Sequence, residues 1–347
     1  MPAIDPTLRD EMLIAAPHPL AECIAMIDAA RTPASLRRSV WKTAYVLAAY
    51  IGNIALAARQ RATGRYGDAP EVKTLLTKLK TNGLDASQWW QLSRELMRPF
   101  AETPALYPVP ELVEVFFAGG SALRNAMETL LESERDDPGD KASADEIRTF
   151  LVGAVSLLGK ALQAVRFLSR YSIAVVRNGE ATYWMGLRRN ATMTQSRAGE
   201  QDGILLLDGN DELACDLSAV ASCSEPNPGA AHELFWLVGA HQDKAKLQAL
   251  PHNLELRRDD LWHIHLGSHT DEDSRLASGD VGAGAAEDAP PYLGLATFGT
   301  GDSNRYFGRE AEVVGFVNRM HGRRFIAVVG PSGSGKSSFV QAGVLPN

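Results

Sequence analysis

The sequence predicts an α+β chain of several domains: an α-helical bundle, a small antiparallel β unit, and the opening strand, glycine-rich loop and helix of an α/β domain. Three observations predict it. Apolar residues recur every three or four positions from about residue 18 to 170. After Tyr171 the period shortens to two, with turn dipeptides between the runs. Near the end, the β-rich run from Phe325 to Val329 enters Gly330-Pro-Ser-Gly-Ser-Gly-Lys-Ser337.

In chain order, Thr32 followed by Pro33 is a helix start. Beyond it Val40, Ala44, Leu47, Ile51, Ile54 and Ala58 place one apolar stripe on a long helix. Further helices are expected from Glu71 to Lys80, Ser87 to Phe100 and Pro110 to Leu131. A polar break at Glu132 to Asp140 precedes a last helix, which opens on the capping box Ser143-x-x-Glu146. Trp89 and Trp90 are adjacent on one helix, so one of them is expected at the boundary of the core.

In the β unit, Ile173 to Val176 and Thr182 to Leu187 flank Asn178-Gly179, the strongest short-range hairpin signal. A second hairpin is expected where Ile204 to Leu207 and Glu212 to Leu217 flank Asp208 to Asp211. Runs from Glu233 to Gly239, Lys246 to Leu250 and Leu261 to Leu266 read as further strands. The segment 269–289 is rich in Gly, Ala and acid and poor in large apolar residues, the composition of a flexible linker. The expected domains are therefore 1–170, 171–268, the linker 269–289, and 290–347.

Composition narrows the function classes. A net charge of −7 over 347 residues argues against a direct nucleic-acid partner. The pairs Arg37-Arg38, Arg188-Arg189, Arg257-Arg258 and Arg323-Arg324 are scattered and read as solvated surface. Cys23, Cys215 and Cys223 form an odd, widely spaced set, which fits a reducing cytoplasm. The most apolar segment, Ala44 to Ala58, is interrupted by Asn53 and reads as too short for a membrane span. Six of the eight histidines lie between His232 and His269, including His263-Ile-His265, yet no His/Cys/Asp set has a recognised metal-ligand spacing. Convergence of His232, His241 and His263 with an acid in one pocket would mark a catalytic, hydrolase-like effector, and scattered histidines an adaptor.

The glycine-rich loop carries the strongest chemistry. Gly330, Gly333 and Gly335 permit a backbone whose N–H groups point inward around a polyphosphate. Pro331, Ser332, Ser334 and Ser338 complete the loop, and the positive end of the following helix adds to the field. Lys336 can then reach the β- and γ-phosphates, and the Ser337 hydroxyl can ligate a nucleotide-bound Mg²⁺. This is a P-loop (Walker A) in its proper strand and helix context. Eleven residues follow Lys336, too few to supply the neighbouring strands and hydrolytic residues of such a domain. The chain therefore reads as the front part of a longer protein that is not a competent NTPase in this portion alone.

Upstream lie Pro290-Pro-Tyr-Leu-Gly-Leu295, Phe298 and Asn304-Arg-Tyr-Phe-Gly-Arg-Glu-Ala-Glu-Val313. Downstream, Phe339, Ala342, Gly343, Leu345 and Pro346 follow the loop. In this order, the segment from Pro290 to Asn347 resembles the opening of the novel STAND NTPases, bacterial signal-transduction ATPases with numerous domains. The resemblance implies ATP and Mg²⁺ as cofactors and places Tyr306, Phe307, Gly308, Arg309 and Glu310 beside adenine and ribose. Ala296-Thr297 and Gly299-Thr-Gly301 depart from the family pattern and receive no role. The resemblance further implies an ATP-dependent switch, of the kind used in bacterial stress or defence signalling. In such a switch the N-terminal part senses, recruits protein partners or self-associates, in the cytoplasm and without a membrane partner. The alternatives from other classes are an interaction module with an inert P-loop and the catalytic N-terminal effector.

Overall fold

A computed structural model describes residues 1–62, 69–194, 202–225, 231–241, 244–252, 254–258 and 336–344. The chain divides into two compact units, Met1–Thr270 and Asp271–Asn347. The first contains the helices and two antiparallel sheets of an α+β fold.

Its helices are α1 (Pro6–Ala15), α2 (His18–Ala29), α3 (Pro33–Ala62), α4 (Pro70–Thr81), α5 (Ala86–Met97), α6 (Pro110–Phe117), α7 (Ala122–Glu132) and α8 (Ala144–Ala164). Proline near the first helical position opens α1, α2, α4 and α6, where a missing N–H costs nothing. Asp5 caps α1, accepting from Leu8 N at 3.0 Å. Reciprocal capping boxes open α5, through Asp85 and Gln88, and α8, through Ser143 and Glu146.

Helix α3 is the axis of the unit. Its predicted stripe is fully buried, but so are Val46, Ala48, Ala49, Tyr50 and Leu56 on its other sides. A helix apolar all round is one that neighbours surround. Here α2, α5 and α8 pack along it, and strands β5 (Leu213–Asp216) and β7 (Glu233–His241) close the remaining side. The Tyr50 ring meets Trp236 of β7 edge-on, with centroids 5.2 Å apart. Each large apolar side chain buried this way stabilises the fold by about 1.5–3 kcal/mol.

The first sheet has the order β3-β2-β1-β4-β5: β1 (Ser172–Arg177), β2 (Glu180–Met185), β3 (Arg188–Thr194), β4 (Gly203–Leu207) and β5 (Leu213–Asp216). Arg177 pairs with Glu180, so Asn178 and Gly179 are the two turn residues, and both take positive φ (51° and 78°). That is the backbone for which an Asn-Gly pair is suited. In the second hairpin Asp208 Oδ1 accepts from Asn210 N and Glu212 N, and Asp211 takes φ 60°. The second sheet has the order β6-β7-β8-β9: β6 (Ala221–Ser224), β7 (Glu233–His241), β8 (Lys244–Ala249) and β9 (Glu255–Arg258). One continuous core runs from Ile4 through the helices and both sheets to Leu250.

Several expectations are corrected. The helix expected from Pro110 to Leu131 is two helices. Gly120 takes φ +73°, and Ser121 starts α7 by accepting from Arg124 N at 3.0 Å. Trp89 and Trp90 are both buried, because α5 is covered on two sides: Trp89 lies against α3, and Trp90 packs on Phe116 of α6 with ring centroids 4.4 Å apart. Arg37 is not solvated surface: its Nε donates to Asp137 Oδ1 at 2.5 Å, with only 13% of its side chain exposed. Helix α1 and strands β3, β6 and β9 were not expected; the antiparallel β region consists of two sheets.

The apolar segment around Asn53 lies within the long helix α3 that the stripe from Val40 to Ala58 predicts. Among the described residues, two helical stretches, Pro33–Arg59 and Ala144–Ala164, are long and apolar enough to cross a membrane by length and composition alone, and 83% of the 18-residue apolar window of the first is buried inside the protein. Asn53 interrupts nothing, since its Nδ2 donates to Ala49 O at 2.8 Å and to Leu237 O at 3.1 Å. The strand expected from Leu261 to Leu266 and the linker 269–289 lie outside the described residues.

Candidate functional site

The segment that carries the G-x-x-x-x-G-K-S pattern is described in part. Lys336–Ser338 form the first helical turn, and Phe339–Val344 continue it as a π-helical stretch. Phe339 and Val344 are buried, whereas Ser337 is exposed. A lysine and two serines opening a helix directly after the glycines is the order the chemistry needs: the lysine ammonium and the serine hydroxyl lie at the end where backbone N–H groups are unused. Gly330, Pro331, Ser332, Gly333, Ser334 and Gly335 lie outside the described residues, as do Tyr306, Phe307, Gly308, Arg309 and Glu310.

Of the predicted histidines His232, His241 and His263, the structure describes the side chain of His232. His232 is half exposed, with Nε2 3.1 Å from Arg177 Nη1 and Nδ1 3.9 Å from Glu225 Oε1. It lines a cavity of about 380 Å³ with Val175, Thr182, Trp184 and Cys223. His241 closes β7, and its side chain, with those of His263 and His265, lies outside the described residues. The larger cavity, about 840 Å³, is acidic: Glu111, Glu114, Asp208 and Glu212 line it beside Tyr107 and Tyr171. There Glu111 is already engaged, accepting from Tyr171 Oη at 2.7 Å and Arg170 Nη2 at 2.6 Å. Burial, and then the Glu111 carboxylate, push the Tyr171 hydroxyl well above the usual tyrosine range, so it donates rather than ionises.

The buried Cys23 thiol is likewise held protonated by burial and is not a nucleophile. Cys23, Cys215 and Cys223 are free of disulfides.

A grouping that the sequence reading missed lies elsewhere. His18 and Glu22 of α2 and Glu233 of β7 bring one potential ligand atom each to within 4.8 Å of one another. The only local signal was the i, i+4 spacing of His18 and Glu22, which shares one helix face. Glu233 joins them through the fold.

Residues 330–337 carry the sequence pattern G-x-x-x-x-G-K-S. Residues 291–347 match the family model of Novel STAND NTPase 1, and the chain is similar to that family over this segment. No curated protein matches the chain. No solved structure matches it.

Proposed function

We propose that the segment 291–347 binds ATP with Mg²⁺ and begins the nucleotide switch of a STAND-type regulatory ATPase. In this reading the unit Met1–Thr270 is the sensing or partner-recruiting part. The observation that carries it is a complete G-x-x-x-x-G-K-S, from Gly330 to Ser337, inside a segment that matches the family. Lys336 supplies the phosphate contact, Ser337 the Mg²⁺ ligand, and Tyr306 to Glu310 the walls of the adenine and ribose site. The Met1–Thr270 unit supports a binding role more than a catalytic one. Its described cavities hold the Glu111 carboxylate engaged by Tyr171 and Arg170, a protonated tyrosine, and a half-exposed histidine within hydrogen-bond distance of Arg177. Free cysteines, two of them buried, support a reducing cytoplasm.

The test is a titration with ATP and Mg²⁺ of the wild-type chain and of Lys336→Ala. Loss of saturable binding in the variant, with unchanged circular dichroism, is the expected result. Equal binding by the two would place the nucleotide elsewhere.

A further inference from the structure

We propose that His18, Glu22 and Glu233 form a binding site for one first-row divalent metal ion of the zinc class, a clasp between helix α2 and strand β7. The chemistry of His18 points there first. Its Nδ1 lies 2.8 Å from the carbonyl oxygen of Gly186, which can only accept, so Nδ1 carries the hydrogen. In the neutral ring the lone pair is then on Nε2. That nitrogen is buried and has no hydrogen-bond partner, in a side chain only 5% exposed. A buried acceptor left without a donor is costly, and a metal ion is one group that removes the cost.

The surroundings of Nε2 are those of a ligand set. Glu22 Oε1 lies 3.5 Å away, and the Glu233 carboxylate completes a group whose atoms all fall within 4.8 Å. Two bonds of 2.0–2.2 Å meeting at a tetrahedral metal put their donor atoms about 3.4 Å apart, so the His18–Glu22 spacing already matches. Among the described residues, the side-chain nitrogens close to Glu22 Oε1 belong to two histidines, Nε2 of His18 at 3.5 Å and Nε2 of His252 at 3.2 Å. One nitrogen and two oxygen donors without thiolate suit zinc, iron(II) or manganese(II) better than copper(I).

The support behind His18 is rigid. Metal-bound histidines characteristically donate their second ring N–H to a carbonyl or carboxylate, which fixes the tautomer and the ring. Gly186, which supplies that carbonyl, takes φ +58°, and a Cβ there would overlap the Ile14 carbonyl and stand 2.6 Å from Leu13 O. Its own N–H donates to Ala16 O at 2.8 Å, and Pro17 bridges Met185. Trp184 holds the other side of the ring edge-on at 5.0 Å. The corner between α1 and α2 and the end of β2 are thus locked together where they aim Nε2.

The experiment is a Zn²⁺ titration of the whole 347-residue chain, freed of metal by chelator and without nucleotide. The wild type is expected to show a tight one-to-one site. Glu22→Gln and Glu233→Gln should each weaken it by at least about tenfold, the loss that even an outer partner of a ligand causes. His232→Ala, outside the cluster, should leave it unchanged. Zinc K-edge absorption on the wild type gives a reading that needs no variant to fold: one imidazole nitrogen with otherwise oxygen donors is expected. No saturable binding, undiminished binding in both glutamine variants, or a site with sulfur or several imidazoles overturns the proposal.

Discussion

Gly52 of α3 lies beneath the indole of Trp89 of α5, so close that a methyl group at position 52 would stand 2.9 Å from Cζ3 and nearer still to Cε3. Glycine inside a helix is otherwise a liability of about 1 kcal/mol against alanine. Here close approach of the two helices outweighs that liability, since Trp89 is fully buried and its ring has nowhere to move. Gly52→Ala is expected to destabilise the fold by about 1–3 kcal/mol, the ordinary cost of overpacking. Urea denaturation checks this. Combining it with Trp89→Leu should recover part of the loss, and strict additivity of the two would show that the contact is not the cause.

Asn53, one residue further on, joins the helical core to the second sheet. Its Nδ2 donates to Leu237 O of β7 as well as to Ala49 O, and the side chain is fully buried. Removing a buried donor leaves its acceptors without it, which costs about 1–3 kcal/mol. Asn53→Ala should therefore lower the melting temperature, and Asn53→Asp should lower it further, because the same position would then bury a charge facing two carbonyl oxygens. Amide exchange on β7 measures the specific effect: faster exchange near Leu237 than elsewhere in the sheet is the expected pattern.

The parts of this fold that were legible in sequence are those whose cause is local. Asn178-Gly179 gives its turn because of its own backbone freedom, and Ser143-x-x-Glu146 caps α8 with its own side chains. Strands β3, β6 and β9 were not legible, because largely polar edge strands are set by the partner they pair with. The same reason explains Trp89 and Trp90: periodicity assigns a helix one buried face, and only the tertiary fold shows that α5 has two neighbours. The sites divide in the same way. Every phosphate-contacting group of a P-loop is consecutive in the chain, so the motif could be read from Gly330 to Ser337. Glu233 meets His18 and Glu22 only through the packing of β7 near α2, and no spacing in the sequence announces it.

Asp137 makes the stability of the unit sensitive to acid. Burial by itself would raise its carboxyl, but hydrogen bonds from Arg37, Gly139 N–H and Trp41 outweigh burial and hold it below the usual aspartate range. A carboxyl held lower in the folded than in the unfolded state stabilises the fold above the unfolded value, near pH 4, and that contribution is lost as pH falls through the folded value. Asp137→Asn should thus reduce stability at neutral pH by about 1–3 kcal/mol and flatten the acid limb below about pH 4. Melting curves from pH 2 to 7 on the two proteins decide it. Parallel curves would mean that Asp137 does not supply the acid sensitivity.

Lys336 and Ser337 are neighbours with different proposed roles, and the difference can be measured. The lysine meets the phosphates as a point charge, so Lys336→Ala should weaken nucleotide with or without Mg²⁺. The serine hydroxyl acts only through the metal, so Ser337→Ala should leave metal-free nucleotide binding near wild type and remove the gain that Mg²⁺ brings. Both residues open the helix that continues to Val344, and Ser337 is exposed, so neither substitution empties a core position. Titrating ATP with and without Mg²⁺ on the wild type and both variants gives the comparison. If Ser337→Ala lost the two modes of binding equally, the hydroxyl would be shaping the loop rather than holding the ion, and the Mg²⁺ ligand would have to be sought at another residue.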